Sequence, residues 1–322
     1  MQNARRFPHP RFQLSDSRNR RRGTACGASG PLRRPRKGHK SPFFFLGEYV
    51  EDPELIERNV VEAISAAGLL GGDGLDIHVS VDPTAIGFLS GEELARHNAE
   101  RVARAAASAG ASGDRTTVML DMEDFSLVEP TLALHRYLVA AGLPAAITLQ
   151  ARLRRTERDL ETVVRTPTCV RLVKGAFPRG VADDHQGREA IDAAYLQLGR
   201  TMLTPQARAA GFRPVFATHD DALTRQLVAV ARHNDWSSHE YEFEMLYGVR
   251  PAWQQELRGQ GISVRVYLPF GRDRWPYVMR RIGENPKNVL LVGRAIIGRS
   301  YRAANDAAHL DEPTSASHAE HT

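Results

Sequence analysis

Cysteine is nearly absent: the 322-residue chain has two, Cys26 and Cys169. Two cysteines build no disulfide framework and match no metal-ligand spacing, a usage that suits a reducing cytoplasm. No stretch approaches the roughly 18 consecutive apolar residues of a membrane-spanning helix. No G-x-G-x-x-G follows the first apolar run, so the dinucleotide fingerprint is missing. C-x-x-C, H-E-x-x-H and G-x-S-x-G are missing too, which excludes the common zinc sites and the serine-hydrolase elbow.

The net charge of +5 hides an uneven distribution. Residues 1–40 hold 12 Lys/Arg and one acid, Asp16, leaving 31 bases against 37 acids in the rest of the chain. The remainder is mildly acidic, which argues against a nucleic-acid footprint across the domain. Residues 1–40 are rich in Arg, Pro and Gly without periodicity and read as a disordered, non-native extension. They lack the apolar core of a secretory signal. The polar segment 304–322 reads as a second disordered tail, leaving 41–303 as the folded domain.

That middle part has rhythm. Apolar or β-branched runs occur at 43–46, 76–81, 116–120, 145–150, 169–173, 213–217, 241–243 and 262–268, separated by stretches of helical periodicity. Asp52-Pro53 is a start signal for the first helix, and Ser90 with Glu93 and Ser126 with Glu129 read as capping boxes. Eight strands alternating with helices predict an α/β fold with a parallel sheet, either an open doubly wound one or a (β/α)8 barrel. The barrel is preferred because polar residues end nearly every strand: Glu48, Asp82, Asp121 with Glu123, Gln150, Lys174, Thr218-His219-Asp220, Glu242 with Glu244, and Tyr267. A closed barrel would gather them at one mouth.

Individually these residues have competing readings. His219 is a ligand contact or a structural histidine. In "RLVKGAF", alternation sends Arg171 and Val173 to one side of the strand and Leu172 and Lys174 to the other. Gly175 would let a flat ligand approach the backbone. Glu242 and Glu244 share a strand face, where they could bind a metal or transfer protons; the many arginines favour ion pairing instead. In "RWPYVMRRIGENPKN", Tyr277, Arg281 and Glu284 share a helix face and Arg280 reaches Glu284. That stretch is either a salt-bridged surface helix or a clamp for a carboxylate or phosphate.

In order along the chain, "FLGEYVED", "VSVDPTAIG", "LDMED", "LQARLRRTERDL", "RLVKGAF", "FATHD", "YEFEMLYGVR", "VRVYLPFG" and "PYVMRRIGENPKN" resemble the monofunctional bacterial proline dehydrogenases over about residues 43–298. The resemblance implies a distorted (β/α)8 barrel that uses FAD to oxidise L-proline to Δ1-pyrroline-5-carboxylate. Gln150, Arg171, Lys174, Gly175, Thr218 and His219 match flavin-contacting positions, and Asp121 an aspartate near the flavin. Tyr267, Tyr277 and Leu246 match the walls of the proline pocket. Arg280 and Arg281 match the carboxylate clamp, braced by Glu284. A quinone acceptor, a cytoplasmic setting and transient contact with the inner membrane surface are implied as well; a bound metal and a nucleic-acid partner are not expected.

The chain departs from the family at four places. Asp82 stands where a family lysine helps neutralise the substrate carboxylate, placing like charges together. Phe177 replaces a tyrosine, and Glu244 a glutamine. The basic segment 1–40 stands where relatives carry helices. Two alternatives therefore stand beside proline oxidation: the same flavin chemistry on another cyclic or secondary amine, or an inactive member serving as a binding protein.

Overall fold

The computed structural model describes residues 43–45, 49–110, 115–176, 180–246 and 249–270, with 43–45 and 268–270 described by backbone alone. Eight parallel strands close into a barrel in chain order. They are β1 (Phe43–Phe45), β2 (Ile77–Val81), β3 (Thr116–Leu120), β4 (Ala145–Gln150), β5 (Cys169–Val173), β6 (Arg213–Ala217), β7 (Glu242–Leu246) and β8 (Ser263–Phe270). Closure is made by β8, which pairs with β7 on one side and β1 on the other. The open doubly wound alternative is thereby excluded.

Between the strands run α1 (Pro53–Gly72), α2 (Glu92–Ala109), α3 (Val128–Ala140), α4 (Thr156–Val163), α5 (Gly187–Met202), α6 (Pro205–Ala209), α7 (Asp221–His233) and α8 (Pro251–Gly259). Strand alternation divides the apolar residues between two layers. Outward positions such as Ile77, Val79, Val118 and Leu120 pack on α1 and α2 through Val60, Ala67, Ala99 and Val102. Further round, Ile147, Val170, Leu172 and Phe216 pack on Tyr195, Leu198 and Leu227 of α5 and α7. Inside the barrel the apolar content is slight: Met119, Ala146, Cys169 and Val215 form a small plug. Most other inward positions are polar.

The start of α1 is as expected: Asp52 Oδ1 accepts the Glu54 and Leu55 N–H groups at 2.8 and 3.2 Å, with Pro53 at the first helical position. The two capping boxes are not formed. α2 starts after Gly91 with no side-chain cap, because Gly87 and Gly91 turn the chain and Glu93 pairs with Arg96 instead. Before α3, Asp124 takes the capping role, accepting from the Ser126 N–H, while Glu129 is drawn to Arg136 and Arg155. β7 runs to Leu246 rather than stopping at 243, since Glu244 is an interior residue rather than a strand terminator.

Candidate active site

The carboxyl ends of the strands bring Asp82, Asp121, Gln150, His219 and Tyr267 to one end of the barrel, with Arg171 of β5 as the hub beneath them; Glu242, expected there, instead begins β7 and faces the opposite end. Arg171 is buried, with Nε donating to Thr148 Oγ1 at 3.0 Å and Nη1 to Ser80 Oγ at 3.2 Å and Glu244 Oε2 at 3.1 Å. Nη2 ion-pairs with Asp121. Tyr267 lies over the guanidinium, with Cζ 5.5 Å from the ring centroid, and its hydroxyl donates to Asp121 Oδ2 at 3.4 Å. Residues from β2, β4, β5, β7 and β8, with Asp121 just past β3, thus meet in one network.

Burial pushes the Glu244 carboxyl above the usual range, against the pull of Arg171 and Arg265. Its second oxygen lies 3.5 Å from His78 Nε2. His78, Glu242 and Glu244 place ligand atoms within 4.8 Å of one another, the geometry of a potential metal cluster. Arginines occupy both carboxylates, Arg265 gripping Glu242 through Nε and Nη2 and Arg171 holding Glu244. Ion pairing is the better account of this trio, as the strand-face reading expected.

At the rim, Gln150 Nε2 donates to the Glu123 carbonyl at 2.7 Å. Its Oε1 is buried, and no donor reaches it among the described residues. Next to it Gly175 takes φ +99°, and a Cβ there would lie 2.7 Å from that Oε1 and 3.2 Å from Arg152 Cβ. One side of Gly175 is therefore filled by protein, and glycine is required by both conformation and space. Lys174 turns to the helix side, as alternation predicts. Its Nζ ion-pairs with Asp192 of α5 and lies 3.5 Å from Asp220 Oδ2, where Arg188 also reaches at 3.2 Å. Burial would raise Asp220, but the Leu223 N–H, Lys174 and Arg188 outweigh it and hold the carboxyl below the usual range.

His219 accepts the Leu246 N–H on Nε2 at 2.9 Å, while its carbonyl accepts from Arg250 at 2.8 Å. An accepting Nε2 makes the imidazole neutral with its proton on Nδ1. The bond also sets Leu246 beside His219. Thr218 is buried, and its hydroxyl accepts the Asp220 N–H. Asp82 is buried at the end of β2, preceding a one-turn helix that its side chain does not cap. Two residues on, Thr84 gives both its N–H and its hydroxyl to buried Glu123.

Tyr277, Arg280, Arg281, Glu284, Phe177 and Glu48 lie outside the described residues, as do the segments 1–40 and 304–322. The sequence reading did not single out Ser80, His78 and Thr148 as site residues. The signal was there: polar residues at inward positions, two apart, within apolar strands.

A model of proline dehydrogenase matches residues 45–293, nearly the whole barrel. The chain belongs to the proline dehydrogenase family. Among its relatives, proline dehydrogenase 1 of Bacillus subtilis subsp. natto is 33% identical over 265 residues, which span 81% of this chain and 83% of that protein. The proline dehydrogenase of Deinococcus radiodurans is 29% identical over 257 residues, covering 78% and 80%. Among solved structures, proline utilization A from Bdellovibrio bacteriovorus, inactivated by N-propargylglycine, superposes with a TM-score of 0.67 at 22% identity. Proline utilization A from Corynebacterium freiburgense gives 0.66 at 20%. This chain spans 30% and 29% of those two much longer proteins and 77% and 78% of itself is covered, so the family fold is shared with one part of each.

Proposed function

We propose that this protein oxidises L-proline to Δ1-pyrroline-5-carboxylate, the first step of proline catabolism, with FAD as its cofactor. The observation that carries the reading is the family match over residues 45–293, laid on a barrel whose polar strand ends converge on one mouth. The reaction removes a hydride from C5 and a proton from the ring nitrogen, leaving a C=N bond. When bound, FAD supplies the two-electron acceptor for that hydride, and a quinone is the proposed onward acceptor.

The residues present fit such a cofactor. Gln150 offers a buried acceptor that no donor fills among the described residues, suited to a ring N–H, and Gly175 holds the adjoining backbone close without a side chain. Arg152, whose Nε lies 3.4 Å from the Gly175 carbonyl, and Thr218 border the same rim. Beneath, Arg171 is held by Asp121 and Glu244, so the floor stays fixed as a substrate enters. Tyr267, tethered to Asp121 and stacked on Arg171, is a rigid wall for a five-membered ring. A fixed floor and wall hold a bound ring in a reactive pose. Arg280 and Arg281 are the proposed carboxylate clamp.

Asp82 favours a second reading. A buried carboxylate at the end of β2 suits a cyclic or secondary amine bearing an additional cationic group. No helix among the described residues is long and apolar enough to cross a membrane; the proposed contact with a quinone-bearing membrane is a peripheral one.

The test is an anaerobic titration of the flavin-loaded protein with L-proline, following the visible absorbance of oxidised flavin. Bleaching at millimolar proline supports the assignment. A flavin that binds and stays oxidised overturns it, and the same titration with cationic cyclic amines then tests the second reading.

A further inference from the structure

The opposite end of the barrel holds a small cavity of ≈ 10 Å³, room for the centre of one water-sized occupant. Arg115, Thr117, Cys169, Arg213, Glu242 and Arg265 are among the residues that line it. They come from β3, β5, β6, β7 and β8 or their amino-terminal ends, far along the strands from the rim that carries Gln150 and His219.

Three guanidinium groups meet there, and one of them, Arg265, is already paired: Glu242 grips it, and Asp76 Oδ2 lies 3.5 Å from its Nη2. Glu242 receives both Nε and Nη2 of Arg265, at 3.0 and 3.1 Å. Glu240, also on the wall, is held by Arg208 through both oxygens at 3.0 and 3.1 Å and by the Ser237 N–H at 2.6 Å. Among the described residues Arg213 donates to a neutral group, the Thr117 hydroxyl at 3.1 Å, and Arg115 to the His239 carbonyl at 3.0 Å. Arg265 Nη1 is buried with no acceptor among the described residues. A buried donor on a charged group without an acceptor is costly. Cys169 does not supply the missing negative charge: burial pushes its thiol up to about 11, so it stays protonated.

We propose that this cavity binds a single monatomic anion of the halide class, chloride in the cell, which accepts from Arg265 Nη1 and neutralises Arg213 and Arg115. A volume of ≈ 10 Å³ for the occupant's centre suits one small, compact ion. Bound there, it cross-links β3, β6 and β8 at the amino-terminal end of the barrel, the end whose residues serve stability in this fold. The site is independent of flavin and proline.

Crystals soaked in sodium bromide test it directly. An anomalous bromide peak in contact with Arg265 Nη1 is the expected result; an ordered water without anomalous signal in that position overturns the proposal. In solution, replacing gluconate by chloride at fixed ionic strength should raise Tm saturably by roughly 4 °C. Arg213→Gln should abolish that rise. A Tm indifferent to chloride, or an equal rise in Arg213→Gln, also overturns the proposal, and the bromide experiment decides the matter should the variant not fold.

Discussion

Arg171 and Glu244, 73 residues apart in sequence, face each other across the inside of the barrel with Nη1 3.1 Å from Oε2, both shut off from solvent. The pair anchors Arg171 from one side and Asp121 from the other, and Tyr267 rests on the result. An acid at 244 does more than add charge near a cofactor. With Asp121 it is one of two carboxylates on Arg171 among the described residues, an arrangement that suits a brace.

Glu244→Gln keeps the acceptor oxygen and removes the charge. Because the folded pKa of Glu244 is raised above 4.5, its contribution to stability is whole below 4.5 and is lost as pH rises through the folded value. The variant therefore gains on the parent as pH rises, whatever the cost of losing the charge at low pH. Urea unfolding of both proteins at pH 5 and pH 8 checks this. A difference that does not grow with pH refutes the buried-charge account.

Gly175→Ala should cost about 1–3 kcal/mol, since alanine at φ +99° is strained and its Cβ would collide with Gln150. The displaced Gln150 would also weaken cofactor retention. Thermal unfolding and the flavin-to-protein absorbance ratio of the purified variant report the two effects separately. Parent-like values in both would remove Gly175 and Gln150 from the site.

Much of the barrel was legible before any coordinates. The strands at 116–120, 145–150, 169–173 and 213–217 have the expected bounds, because short β-branched runs between turn residues signal buried parallel strands. Strand alternation also predicts Arg171 and Lys174 on opposite sides of β5, where their ion pairs put them. What local pattern missed was pairing at long range. Glu93 and Glu129 have capping-box spacing but pair with arginines, and β7 extends past the apolar run at 241–243 to Leu246. No periodicity announces that Ser80, Thr148 and Glu244 share one guanidinium, since those partners meet only once the barrel closes.

His135 of α3 contacts the Thr168 hydroxyl through Nε2 at 3.0 Å and is 2% exposed. Burial, aided by Arg136, lowers its pKa from 6.5 to about 4. Its contribution to stability is complete above 6.5 and is lost as pH falls from there through about 4, a total of about 3 kcal/mol. His135→Gln should flatten the pH dependence of unfolding between 6.5 and 4 by up to one proton. Parallel profiles for the two proteins would show that the histidine does not titrate on unfolding.

Substitution of Asp82 is the direct test of the substrate proposal. If Asp82 lies near the carboxylate of proline, two anions oppose each other where little water screens them. Asp82→Asn is close in shape and removes that repulsion, so the KM for L-proline should fall several-fold with kcat little changed, the mark of a binding effect common to ground and transition states. Asp82→Lys should go further for proline and abolish any turnover of a cationic amine. Steady-state kinetics on L-proline and on a cyclic diamine separate the cases. Unchanged KM in Asp82→Asn would place the carboxylate away from the substrate, whereas loss of diamine oxidation with little gain on proline would make Asp82 the recognition element for a second positive charge.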